Sequence, residues 1–132
     1  MAPKALRKQY HFRPSPGGGF YAWDVSRLIE LASDLPVTPV PLSEIAELHE
    51  NWWFQTDDAV PTPAAMLRHF ALMHDTDLRH PILLCAQGRV MDGMHRIMKA
   101  AWEGRAMLGA KRFEETPPPD HANVMPDDLD YD

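Results

Sequence analysis

The chain holds a single cysteine, Cys85, among its 132 residues, so no intramolecular disulfide can staple it and no paired cysteines point to a zinc site. Cys85 sits in the apolar run PILLCA, where a buried and inert thiol is expected. No apolar run approaches the roughly 18 residues a membrane span needs. The first residues, MAPKALRKQYHFRP, are basic but lack the apolar stretch of a secretion signal, which leads to the expectation of a cytoplasmic protein. The triple glycine at 17–19 is not followed by Gly-Lys-Ser/Thr and so is no P-loop. Basic residues are missing altogether from Glu114 onward, where seven acidic residues stand. The net charge of −6 is thus concentrated at one end, leaving 13 basic against 12 acidic residues elsewhere. Lys4, Arg7, Lys8 and Arg13 make the other end basic. No lysine-arginine stripe suggests a duplex-binding face.

What is abundant is proline, 13 residues, placed mostly between periodic segments. Pro14, Pro16 and the glycines make residues 1–22 an expected irregular basic lead-in. Val25, Leu28, Ile29 and Ala32 then follow a helical period behind Asp24, a good N-cap. LPVTPVPL reads as an extended edge segment, because its prolines cannot donate to a ladder. Ser43 is positioned to cap a short helix, SEIAELHEN, followed by Trp52-Trp53-Phe54. Thr62-Pro63 opens a second helix expected to bury Met66, Leu67, Phe70 and Ala71. PILLCA and RVMD, joined at Gln87-Gly88, read as a β-hairpin. A third helix begins at Met94, with Met94, Ile97, Met98 and Ala101 as its apolar face and Gly104 to end it. A strand, MLGAKRF, comes last. The expected architecture is α+β, a small mixed sheet with packed helices, over residues 23–113. Residues 114–132, acidic and proline-rich, are expected to be disordered.

The strand-to-helix corner Asp92-Gly93-Met94-His95-Arg96 admits two readings. Asp92 could simply cap the helix, with Gly93 easing the corner. Two cationic side chains in a first helical turn oppose the helix dipole, however, and a bound anion would reverse that penalty. Arg96 would then supply a bidentate fork and His95 a further donor. Trp52 or Trp53 could stack a base or fill the core. Glu44, Glu47 and Glu50 share one short segment and would be ordinary solvated carboxylates. Histidines such as His69 and His74 show no metal-ligand spacing, and no metal site is read.

GRVMDGMHRIMKAAWEG followed by AKRF resembles the ParB/sulfiredoxin-like superfamily, in which a hairpin leads into a D/G-G-x-H-R motif, a helix, a glycine and a strand. The resemblance covers about residues 35–113. Helix 24–33 and the Trp-Trp-Phe cluster are similar to small stand-alone bacterial ParB-like proteins. It implies a nucleotide (ATP, ADP or CTP, with Mg) whose phosphates rest on Gly93, Met94, His95 and Arg96. Sulfiredoxins carry a cysteine where this chain has Met94, and partition proteins carry a G-E-R-R motif and a helix-turn-helix that are not found in these residues. Direct specific DNA binding is therefore not expected. Nucleotide-dependent serine kinases carry D-G-H-H-R, one residue from D-G-M-H-R. That branch implies catalytic Glu50, taking a proton from an acceptor hydroxyl, and Asp92, holding magnesium or orienting the acceptor. Two functions stay open: a phosphotransferase or nucleotide hydrolase, and a non-catalytic module that senses a nucleotide or binds a protein partner or second copy.

Overall fold

A computed structural model describes residues 8–131, so Lys4 and Arg7 lie outside the described residues. The fold is α+β, with two sheets and three α-helices. The chain forms two compact units, one from its two ends (up to Asp34 and from Glu115) and one from Leu35–Glu114. Among the described residues no helix is long and apolar enough to cross a membrane.

The terminal unit corrects two expectations. Residues 10–24 are not irregular: β1 (Tyr10–Pro14) and β2 (Phe20–Asp24) form an antiparallel hairpin in register Tyr10↔Asp24 to Pro14↔Phe20. Pro14 falls at the strand end, and the glycines are confined to the connection, so neither breaks the ladder. Aromatic pairs such as Phe12–Phe20, 6.0 Å apart, supply the cross-strand packing. The acidic tail is not disordered either, because β7 (His121–Val124) pairs with β2. Pro117 offers its carbonyl to Trp23 Nε1 at 2.8 Å, and Asp120 accepts from the Asp24 amide and from Arg27 Nη1. Composition predicted too little apolar area for a fold, but the tail needs none of its own when it completes an existing aromatic sheet. Helix α1 (Val25–Leu31), capped by the Asp24 carboxylate on the Ser26 amide, belongs to this unit and not to the body beginning at Leu35.

The Leu35–Glu114 unit holds a four-stranded mixed sheet in the order β3 (Thr38–Pro41), β6 (Met107–Arg112), β4 (Ile82–Leu84), β5 (Val90–Asp92). β4 runs parallel to β6 and the other pairs are antiparallel. The proline-bearing β3 takes the edge, as its missing amides require. Helix α2 (Pro63–Asp75) starts as expected, with Thr62 Oγ1 accepting from the Ala65 amide. Its buried residue is Met73, whereas Met66, Leu67 and Phe70 are exposed, which corrects the expected face. The inward face runs along His69 and Met73, one turn apart, and neither residue belongs to the expected apolar face. Helix α3 (Met94–Trp102) buries Met94, Ile97 and Ala100, leaving Ala101 outside. Gly104 ends it: the Arg105 amide reaches the Ala100 carbonyl and the Gly104 amide that of Ala101, a Schellman closure.

The segment expected to be a Ser43-capped helix is instead two 3₁₀ turns, Leu42–Glu44 and Ala46–His49, with no side-chain cap. Leu42, Ile45 and Leu48 recur every third residue and all pack on the core, a period that suits three residues per turn. The core around them includes Ile82, Leu84, Val90, Ile97 and Leu108.

Candidate functional site

β5 delivers Asp92 to the sheet end and α3 begins two residues later. The N-cap is Gly93, at φ +112°, and no side chain caps the helix. A Cβ at this position would lie 2.5 Å from Ile82 Cγ2 and 2.9 Å from Arg96 Nη2, so both conformation and space require glycine. Asp92 is therefore not the cap that its sequence position suggested. Its carboxylate accepts from Arg96 Nη2 at 2.8 Å, and both side chains are largely covered. Arg96 Nε is buried without a hydrogen-bond partner. The corner thus combines uncapped first-turn amides with a guanidinium whose donors are only partly used.

His95 packs into a ring cluster. The Trp53 indole lies over His69 at 4.0 Å and over His95 at 4.7 Å, both nearly parallel to it. The imidazoles sit side by side beneath it, His69 Nδ1 to His95 Nε2 at 2.9 Å. Phe54 closes the cluster edge-on against His69. One proton between the two nitrogens makes that bond, and a second would set donor against donor. Burial first, then the charges of His69 and Arg96, push the His95 imidazole down to about 4. Burial, and then Arg68, lower His69 as well. Both shifts favour the neutral imidazole.

Beside this cluster lies a cavity of about 240 Å³. Leu48, Trp52, Trp53, Phe54, Met94 and Met98 form its apolar walls, while Glu47, Glu50 and Asn51 form the polar side. Asn51 holds the aromatic loop, its Nδ2 donating to the Phe54 carbonyl and its Oδ1 accepting from the Phe54 amide. Glu50 accepts from Arg89 Nη2 at 2.8 Å. Glu47, read from sequence as solvated, is 3% exposed; it accepts from the Val90 amide at 3.0 Å and faces Arg89 at 3.6 Å. Met94 and Glu50 line one cavity, and Asp92, Gly93 and Arg96 form one corner, but no hydrogen bond joins Glu50 to Asp92. A more open depression of about 550 Å³ by His74, Asp77 and Lys99 contains none of these groups. There Lys99 Nζ donates to the His74 and Thr76 carbonyls at the end of α2.

The partnership of Trp53, His69 and His95, and the contacts of Glu47 and Arg89, are not visible in the sequence. Nothing local marks residues so far apart as neighbours. The three-residue recurrence of Leu42, Ile45 and Leu48 was a usable signal that this segment is not an α-helix. Among the described residues no group of three His, Cys, Asp or Glu side chains could hold a metal ion. Asp92 alone suits magnesium only as the single carboxylate of an ion otherwise held by water and phosphate oxygens. No family model matches the chain, and no curated protein or solved structure matches it.

Proposed function

We propose that the Leu35–Glu114 unit is a ParB/sulfiredoxin-like nucleotide-binding module, acting in the cytoplasm, that seats phosphate on the first turn of α3. The observation that carries this reading is the Gly93 corner. A left-handed glycine leaves the Met94, His95 and Arg96 amides without a side-chain cap, and the adjacent Arg96 has a buried donor without a partner. Amides at a helix N-terminus together with a guanidinium suit an anion of several oxygens. Asp92 steers Arg96 and offers one carboxylate oxygen to a magnesium ion carried in on the phosphates; the ion would screen phosphate charge from Asp92. The apolar cavity beside Met94 suits the rest of the nucleotide. ATP, ADP and CTP are the candidates to compare.

Glu50 lends less support to phosphoryl transfer. Its carboxylate is already held by Arg89 Nη2 at 2.8 Å, and no hydrogen bond joins it to the Asp92 corner. Binding without transfer is therefore the favoured reading. Calorimetry with ATP, ADP, CTP and GTP, each with magnesium, tests it on the wild type and on the double variant Asp92→Asn/Arg96→Gln. That variant keeps a hydrogen bond at the corner and removes both charges. Affinity is expected to fall roughly ten- to a hundredfold in the variant. Equal affinity in the two proteins, or no binding by the wild type, overturns the proposal, and phosphate release on mixing would restore the catalytic reading.

A further inference from the structure

Helix α2 turns the wrong side outward for a helix with no partner. Leu67 is 70% exposed and Phe70 38%, and Trp102 at the end of α3 is 58% exposed. Phe70, His74 and Trp102 form one aromatic cluster, with ring centroids 4.9–6.1 Å apart. At about 100° per residue, Leu67, Ala71 and His74 fall on a narrow stripe opposite the inward His69–Met73 face. Arg68 and Asp75, both exposed, flank this stripe on one side, and Phe70 with Trp102 flanks it on the other.

We propose that this stripe is a homodimer interface in which α2 packs antiparallel against α2 of a second copy, with Ala71 near the two-fold axis. The charge pattern selects that arrangement. Arg68 and Asp75 lie seven residues apart on one flank, and a two-fold axis across the helix brings Arg68 of each copy level with Asp75 of the other. The same axis sets the two Phe70–Trp102 flanks against each other. A parallel pair would instead place each charged flank against the aromatic one. Ala71 at the crossing lets the helices approach closely, and Leu67 of each copy packs beside His74 of the other. A residue on a two-fold axis must tolerate its own copy, which a small alanine does.

The available area fits a second copy. Leu67, Phe70, Trp102 and the small residues of the stripe offer on the order of 500 Å² of apolar surface, the upper part of what a monomer exposes in one patch. Two copies would bury about 1,000 Å², the lower limit for a specific interface, so the dimer should be reversible and of moderate affinity.

Sedimentation velocity over micromolar to millimolar protein tests the pairing. The wild type is expected to pass from monomer to dimer across that range. Arg68→Asp alone sets two carboxylates against each other in each half of the interface, and Asp75→Arg alone sets two guanidinium groups together. Each should weaken dimerisation roughly tenfold or more. An equimolar mixture of these two variants should dimerise again, because each supplies the charges that the other needs. Both charged positions are on the surface, and unchanged thermal melting of each variant verifies its fold. Leu67→Glu should abolish the dimer. A wild type that stays monomeric leaves the stripe to a different protein and overturns the proposal. Charge swaps without effect, or a mixture that does not recover, overturn it equally.

Discussion

Acid should loosen the Trp53–His69–His95 cluster. The His95 imidazole is held at about 4 against an ordinary value of 6.5, by burial first and then by His69 and Arg96. The folded protein therefore refuses a proton that the unfolded chain accepts. Stability from this source is fully present above about pH 6.5 and is lost as pH falls toward about 4. The whole gap would correspond to roughly 3 kcal/mol. The His95 ring is partly exposed and solvent screens it, which reduces the figure to about 1–2 kcal/mol. His69 shifts in the same direction and adds to the loss. A domain of this size moves by about 3–6 °C per kcal/mol, so the melting temperature should fall by roughly 5–10 °C between about pH 7 and about pH 4.5 from this pair. Carboxylates titrate in the same window, so the wild type must be compared with His69→Phe/His95→Phe. The double variant keeps rings against Trp53 and has nothing to protonate there. Differential scanning calorimetry should give a shallower pH slope for it. Parallel slopes in the two proteins would place the acid sensitivity outside this cluster.

Glu47→Ala should cost about 2–3 kcal/mol in urea unfolding, since it strips a buried charged acceptor from the Val90 amide and leaves Arg89 with one carboxylate fewer. A change below about 0.5 kcal/mol would mean that water replaces the carboxylate. Gly93→Ala should cost about 2–4 kcal/mol by the same measurement, combining left-handed strain with overlap on Ile82; near-neutrality would show that the corner relaxes. Removal of residues 115–132 should lower the melting temperature by more than about 5 °C, because β2 loses β7 and Trp23 loses the Pro117 carbonyl. An unchanged melting temperature would show the tail to be dispensable for the terminal unit.

The central unit was legible where local chemistry dictates geometry. Thr62-Pro63 starts α2, Gly104 ends α3, the hairpin turns between PILLCA and RVMD, and the prolines of β3 take the sheet edge. The ends were not legible, because composition measures what a segment can bury alone. The tail contributes backbone and carbonyl groups to an aromatic hairpin that lies more than 90 residues earlier in sequence. The face of α2 was misread because the apolar residues make a pattern whose phase is set by His69, a residue that pattern counts as polar. At the corner, the bonds differ from those that the sequence suggests. Asp92 is an efficient cap in general, but a left-handed Gly93 takes that position and frees the carboxylate for Arg96. Because of that ion pair, Arg96→Ala leaves a covered Asp92 without its cation and should destabilise the fold.

The most direct test of phosphate binding at α3 is amide NMR during titration with ATP, ADP or CTP in the presence of magnesium. The Met94, His95 and Arg96 amides are expected to shift most and saturate together, with the Trp52 and Trp53 indole signals following when the full nucleotide is used. Inorganic pyrophosphate should move the three amides and leave the indoles still. Saturable binding whose largest shifts fall elsewhere, or no shift at these three amides with any of the ligands, would contradict it.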